Sequence, residues 1–77
     1  MINHKAMQER LIRLGFERTL SSESGCWVNR INRMVVYRGT YSPEKKGTAN
    51  YTLCLDDKRE FAFTESEFET AYQKLLR

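Results

Sequence analysis

The sequence predicts an α+β domain: an N-terminal helix, a four- to five-stranded antiparallel sheet and a C-terminal helix, with both helices on one face. Three observations predict it. Apolar residues near both ends recur every three or four positions, those between them alternate, and clusters of Gly, Pro, Ser, Asn and Asp interrupt the alternation. Seventy-seven residues make one domain, 1–77, with a modest core.

The first helix lies in "INHKAMQERLIRLGF". Asn3 can cap it, and Ile2 and Met7 occupy the positions of a hydrophobic staple. Met7, Leu11 and Leu14 mark the buried stripe, and Ile12 widens it. Gly15 ends the helix, and Phe16 is placed to fold back onto Leu11.

The period then drops to two. "FERTL" starts a strand or is an extended connection, "SSESG" is its turn, and "CWVNRI" and "RMVVY" are two strands joined near Ile31–Asn32. "YSPEKKGTAN", with Pro43 and Gly47, reads as a loop. In "YTLCL" Tyr51, Leu53 and Leu55 point inward, with Thr52 and Cys54 outward. Asp56–Asp57–Lys58 makes a tight hairpin into "REFAF", where Phe61 and Phe63 point the same way.

The second helix follows in "FTESEFETAYQKLLR". Thr64 and Glu67 form a capping-box pattern, and Phe63 and Phe68 are the flanking staple. Phe68, Ala71, Tyr72, Leu75 and Leu76 make one apolar face. Glu65, Glu67 and Glu69 suit the positive end of the helix dipole, as Lys74 and Arg77 suit its negative end. The other side of the sheet would then show Val28, Cys54, Ala62 and one of Val35 or Val36. That small apolar face admits a homodimer.

Composition removes several classes of function. Two cysteines, Cys26 and Cys54, and one histidine, His4, make neither a disulfide framework nor a four-ligand zinc set. Both thiols are expected reduced in a cytoplasmic protein without a leader, although a single bridge between neighbouring strands is conceivable. No apolar run is long enough to span a membrane, and no metal or other cofactor is expected. Net charge is +3, but segment 25–46 carries +4 and segment 56–69 carries −4, so the domain is expected to be dipolar.

The stretch "GCWVNRINRMVVYRG" interleaves aromatic residues with arginines and contains no acid. On a sheet, rings stack bases while guanidinium groups neutralise phosphates. Arg30, Arg33, Arg38, Lys45 and Lys46 are therefore the candidate binding residues, for nucleic acid or another macromolecular partner. The plainer alternative turns Trp27 and Tyr37 toward the helices and leaves the basic residues as a solvated surface, with Lys45–Lys46 a loop tip. Arg10 and Arg13 on the first helix could extend a basic surface or form only its wet side.

No catalytic residues are assigned. His4 sits in the first turn of a terminal helix without a histidine or cysteine partner, and the four isolated glycines form no phosphate-cradling loop. Cys26, beside Trp27 and Val28, reads as a buried thiol. Asp56, Asp57 and Glu60 serve a turn better than a metal.

The helix–strands–helix order resembles the double-stranded-RNA-binding domain, and "LIRLGFERTLSSESGCWVNR" resembles the opening of HicA-type toxins. The latter family cleaves RNA with a histidine that follows the turn; here "SESGCW" has none, and the second helix opens "TESEFE" rather than with a basic motif. In general character the chain resembles short accessory proteins of phages and mobile elements, which implies docking onto a host or defence complex. Three functions follow in order of expectation: a non-enzymatic regulator or inhibitor that docks onto a protein or protein–nucleic-acid complex, a nucleic-acid-binding domain, and a RelE-like ribonuclease using Tyr37 or Tyr41 beside the arginines.

Overall fold

Helix α1 (His4–Arg13), strands β1 (Phe16–Arg18), β2 (Cys26–Asn29), β3 (Val35–Ser42), β4 (Gly47–Leu55) and β5 (Lys58–Ala62), and helix α2 (Glu65–Leu76) follow one another along the chain. They are seen in a computed structural model that describes residues 3–19 and 25–77. The five strands form one antiparallel meander in the order β1-β2-β3-β4-β5, so "FERTL" does supply a short edge strand. The expectations for Ile2, Leu20 and the "SSES" turn fall outside the described residues.

Local chemistry starts and stops the helices. The Asn3 side chain accepts a hydrogen bond from the Ala6 backbone N–H at 3.2 Å, supplying a partner for one of the donors left open at the start of α1. Leu14 closes the helix, and Gly15 turns the chain away at φ +98°. At α2 the Thr64 hydroxyl accepts from the Glu67 N–H at 3.1 Å. The Glu67 carboxylate reaches back to the Phe63 N–H at 3.1 Å, one residue before the cap, so the box spans an extra position.

Both helices pack on the same side of the sheet. Tyr51 of β4 lies between them, its hydroxyl hydrogen-bonded to His4 and its ring edge-on to Phe68 at 6.1 Å. Arg10 of α1 and Glu69 of α2 approach to 3.6 Å. The core joins Met7 and Leu11, then Phe16, Trp27, Val36, Tyr51 and Leu53 from the strands, and Phe68, Tyr72 and Leu75 from α2. Among the described residues no helix is long and apolar enough to cross a membrane.

Several positions differ from the pattern reading. Ile12 and Leu76 are exposed, because α1 meets the sheet along the narrower Met7–Leu11 line and α2 along Phe68–Tyr72–Leu75. Ala62 is buried beneath α2, opposite Tyr51, where a methyl group lets the helix lie close, while Phe61 pairs with Thr52 on the far side. The expected loop is mostly hairpin: β3 runs on to Ser42, β4 starts at Gly47, and only residues 43–46 connect them. Ile31 belongs to the β2–β3 turn, not to a strand, and is 89 % exposed.

That turn is built by Asn29. Its buried amide donates to the Leu14 carbonyl at 3.0 Å, while its oxygen accepts from the N–H groups of Ile31 and Asn32. One side chain thereby ties the end of α1 to the β2–β3 connection. Cys26 and Cys54 stand on β2 and β4 with β3 between them and two residues out of level, about 12 Å apart, so the conceivable bridge between them does not form.

Candidate nucleic-acid interface

The five basic residues singled out by pattern divide into three places. Arg30 and Arg33 lie at the β2–β3 end of the sheet, where the exposed Arg30 pairs with Glu17 at 2.9 Å. Lys45 and Lys46 lie at the opposite end of β3, about 23 Å away for seven strand steps. Lys45 is occupied there: it pairs with Glu67 and stands 4.8 Å from the centre of the Phe63 ring, pinning the hairpin to the start of α2. Arg38 sits between the two ends, on the helix-covered side.

Around Arg38 the structure assembles a group that the sequence distributes over forty-seven positions. A cleft of about 580 Å³ opens beside the N-terminus of α1, lined by His4, Gln8, Arg18, Trp27, Arg38 and Tyr51 among others. His4 and Gln8 are one turn apart on α1 and face the same way. Arg18 comes from β1, opposite Trp27, and Arg38 from β3, opposite Tyr51. Among the described residues no carboxylate lines the cleft, and neither arginine has an acidic partner within ion-pair distance.

Two backbone features aim Arg38. Gly25, at φ +79°, lies beneath its side chain, and a β-carbon there would meet Arg38 Cδ at 3.4 Å. Gly39, at φ +73° in mid-strand, follows Arg38 directly with a backbone conformation that favours glycine. The stem of Arg38 therefore runs over a bare backbone before its head reaches the cleft.

The floor is buried where the rim is exposed. Tyr51 is 1 % exposed, and its hydroxyl meets His4 Nδ1 at 2.9 Å. Burial pushes the Tyr51 phenol above the usual tyrosine range, with the positive charge of Arg38 acting in the opposite sense. A neutral phenol held there fixes the ring of His4 and leaves Nε2 as its second polar atom. Trp27, 6 % exposed, belongs to the core and forms wall rather than stacking platform. Tyr37 does not turn toward the helices; it stands 43 % exposed on the opposite side of the sheet.

Sequence reasoning missed His4, Gln8, Arg18 and Tyr51 as a group. The i, i+4 spacing of His4 and Gln8 was visible, but their proximity to Arg18 and Arg38 depends on how α1 crosses the strands. A second groove of about 330 Å³, between the β3–β4 turn and α2, mixes Glu44, Glu60 and Glu67 with Lys45 and Arg59 and so shows no preference for either charge. Among the described residues no three His, Cys, Asp or Glu side chains gather as a metal site would require. The chain matches no family model, no curated protein and no solved structure.

Proposed function

We propose that the chain is a small binding module that docks onto a single-stranded nucleic acid, free or within a protein complex, through the α1–β3 cleft. The observation that carries this reading is the convergence of Arg18 and Arg38, without acidic partners among the described residues, on a cleft that also offers polar atoms from His4 and Gln8. Guanidinium groups match phosphate oxygens in pairs, and basic side chains gathered in a groove are how single strands are held along their backbone. Binding, rather than cleavage, is favoured by Tyr51: the phenol beside the arginines is buried beneath His4 and cannot reach a scissile phosphate. The exposed Tyr37 lies on the other side of the sheet from Arg38.

The test is fluorescence anisotropy with labelled RNA and DNA single strands, titrated over salt. Two phosphate contacts give a slope of log K against log salt of about −1.4, and Arg18→Met or Arg38→Met each reduces it by about 0.7. Arg30→Met and Arg33→Met, at the far end of the sheet, leave it unchanged. Absence of binding at low salt, or an equal effect from all four variants, refutes the cleft. The same oligonucleotides on a denaturing gel report cleavage directly, and intact strands are expected.

A further inference from the structure

The side of the sheet turned away from the helices carries a pattern with a symmetry of its own. Register places Glu17, Val28, Val35, Cys54 and Arg59 in one row across all five strands. An acid stands on the β1 edge, a base on the β5 edge, and three half-buried apolar residues lie between them. In the neighbouring row Tyr37, Thr52 and Phe61 lie side by side, and the buried hydroxyl of Thr52 has no hydrogen-bond partner. Neither helix packs on this side, and only at the β5 edge do Arg59 and Phe61 also border the groove beside α2.

We infer that this face joins two copies of the chain about a twofold axis parallel to β3. Such a rotation exchanges the two edges of the sheet and keeps each row level, so β1 of one copy lies over β5 of the other. Val35 then meets its own equivalent near the axis, and Val28 lies over Cys54 of the second copy. Glu17 meets Arg59 of the second copy, and the same ion pair repeats at the opposite edge. An acid and a base placed two strands either side of a central strand are complementary to themselves, as an isologous interface requires. The strands of the two sheets run roughly aligned, the usual arrangement for stacked sheets.

The internal contact of Glu17 leaves room for the second one. Arg30 Nε holds Oε2 at 2.9 Å, with both side chains largely exposed, and Oε1 remains for Arg59 of the other copy. Five strands about 4.8 Å apart, each contributing about 20 Å, present on the order of 500 Å² in plan. Side-chain relief brings this toward the roughly 800 Å² that each partner buries in a stable small interface. The clefts, on the helix side, stay open in such a dimer, so this inference and the nucleic-acid reading stand independently.

Light scattering coupled to size exclusion, at about 100 µM and low salt, tests the arrangement. The wild type is expected at twice the 9.1 kDa chain mass. Glu17→Arg sets like charges against each other at both edges and is expected to weaken association at least tenfold. Glu17→Arg combined with Arg59→Glu restores both pairs in reverse and returns the dimer, an outcome that misfolding of the single variant does not produce. A monomeric wild type, a Glu17→Arg variant that dimerises as before, or a reversed pair that fails to recover overturns the inference.

Discussion

Tyr51→Phe removes a single oxygen from the floor of the cleft, and its consequence for stability shrinks as pH rises. At neutral pH the wild type holds the part-buried hydrogen bond between the Tyr51 hydroxyl and His4 Nδ1, 2.9 Å long. A bond of this kind contributes about 1 kcal/mol net, so the variant is less stable by about that amount. Alkaline solution changes the balance. Burial raises the folded phenol above 10.0, the ordinary tyrosine value, against the weaker opposing pull of Arg38. In the unfolded chain the same phenol ionises near its ordinary value. The stability carried by the neutral hydroxyl is therefore complete below about pH 10 and is lost as pH rises from there through the folded pKa. The loss proceeds at up to about 1.4 kcal/mol per pH unit, the limit for one proton. Phenylalanine has no such proton, so the gap between variant and wild type closes above pH 10. Urea unfolding followed by the fluorescence of Trp27, the only tryptophan, measures both proteins between pH 7 and pH 11.5. With a urea dependence near 1 kcal/mol per molar, the expected midpoint difference is about 1 M at pH 8. A difference that stays constant to pH 11.5 refutes the reasoning, because it means that the hydroxyl ionises in the fold as freely as in the unfolded chain.

Two further substitutions probe how the fold positions the cleft. Gly25→Ala puts a β-carbon at φ +79° and 3.4 Å from Arg38 Cδ; it is expected to cost about 1 kcal/mol or more in urea unfolding and to weaken oligonucleotide binding by displacing Arg38. Thr64→Ala removes the acceptor for the Glu67 N–H and is expected to cost about 1 kcal/mol without altering oligonucleotide binding, since α2 contributes no residue named in the cleft; loss of binding in a folded Thr64→Ala protein counts against that assignment.

Much of the fold was legible because local chemistry and burial agree at the same positions. Asn3 and Thr64 are short polar side chains immediately before an apolar helical repeat, and both cap as that placement implies. Tyr51 and Leu53 alternate with Thr52 and Cys54, and the sheet buries the first pair under the helices. Alternation fails where size competes with polarity. In "REFAF" two phenylalanines flank an alanine, which suggests that the rings point inward; but the register puts Ala62 beneath α2, opposite Tyr51, and Phe61 goes to the other side. The β3–β4 loop was overdrawn for a related reason. Pro43 and Gly47 mark the connection correctly, but Tyr41 and Thr48 are good strand residues whose pairing extends the ladder to Ser42 and Gly47.

The cleft was illegible for a different reason. Its parts lie on α1 and on β1 through β4, and no two of them share a spacing that chemistry would demand, except His4 and Gln8. Proximity follows from long-range pairings: Phe16 opposite Asn29 sets β1 against β2, Arg38 opposite Tyr51 sets β3 against β4, and the amide of Asn29 fastens the end of α1 beside them. A basic run read along the chain therefore overstates what its members share. Arg30, Arg33 and Arg38 are close in sequence, yet Arg30 answers Glu17, Arg33 takes φ +65° in a turn, and Arg38 alone reaches the cleft, which Arg18 lines from a strand that the pattern leaves open as an extended connection. Charge density in a sequence counts cations; a phosphate site needs them to converge, and here convergence is decided by the register of edge strands and by a glycine beneath one guanidinium stem.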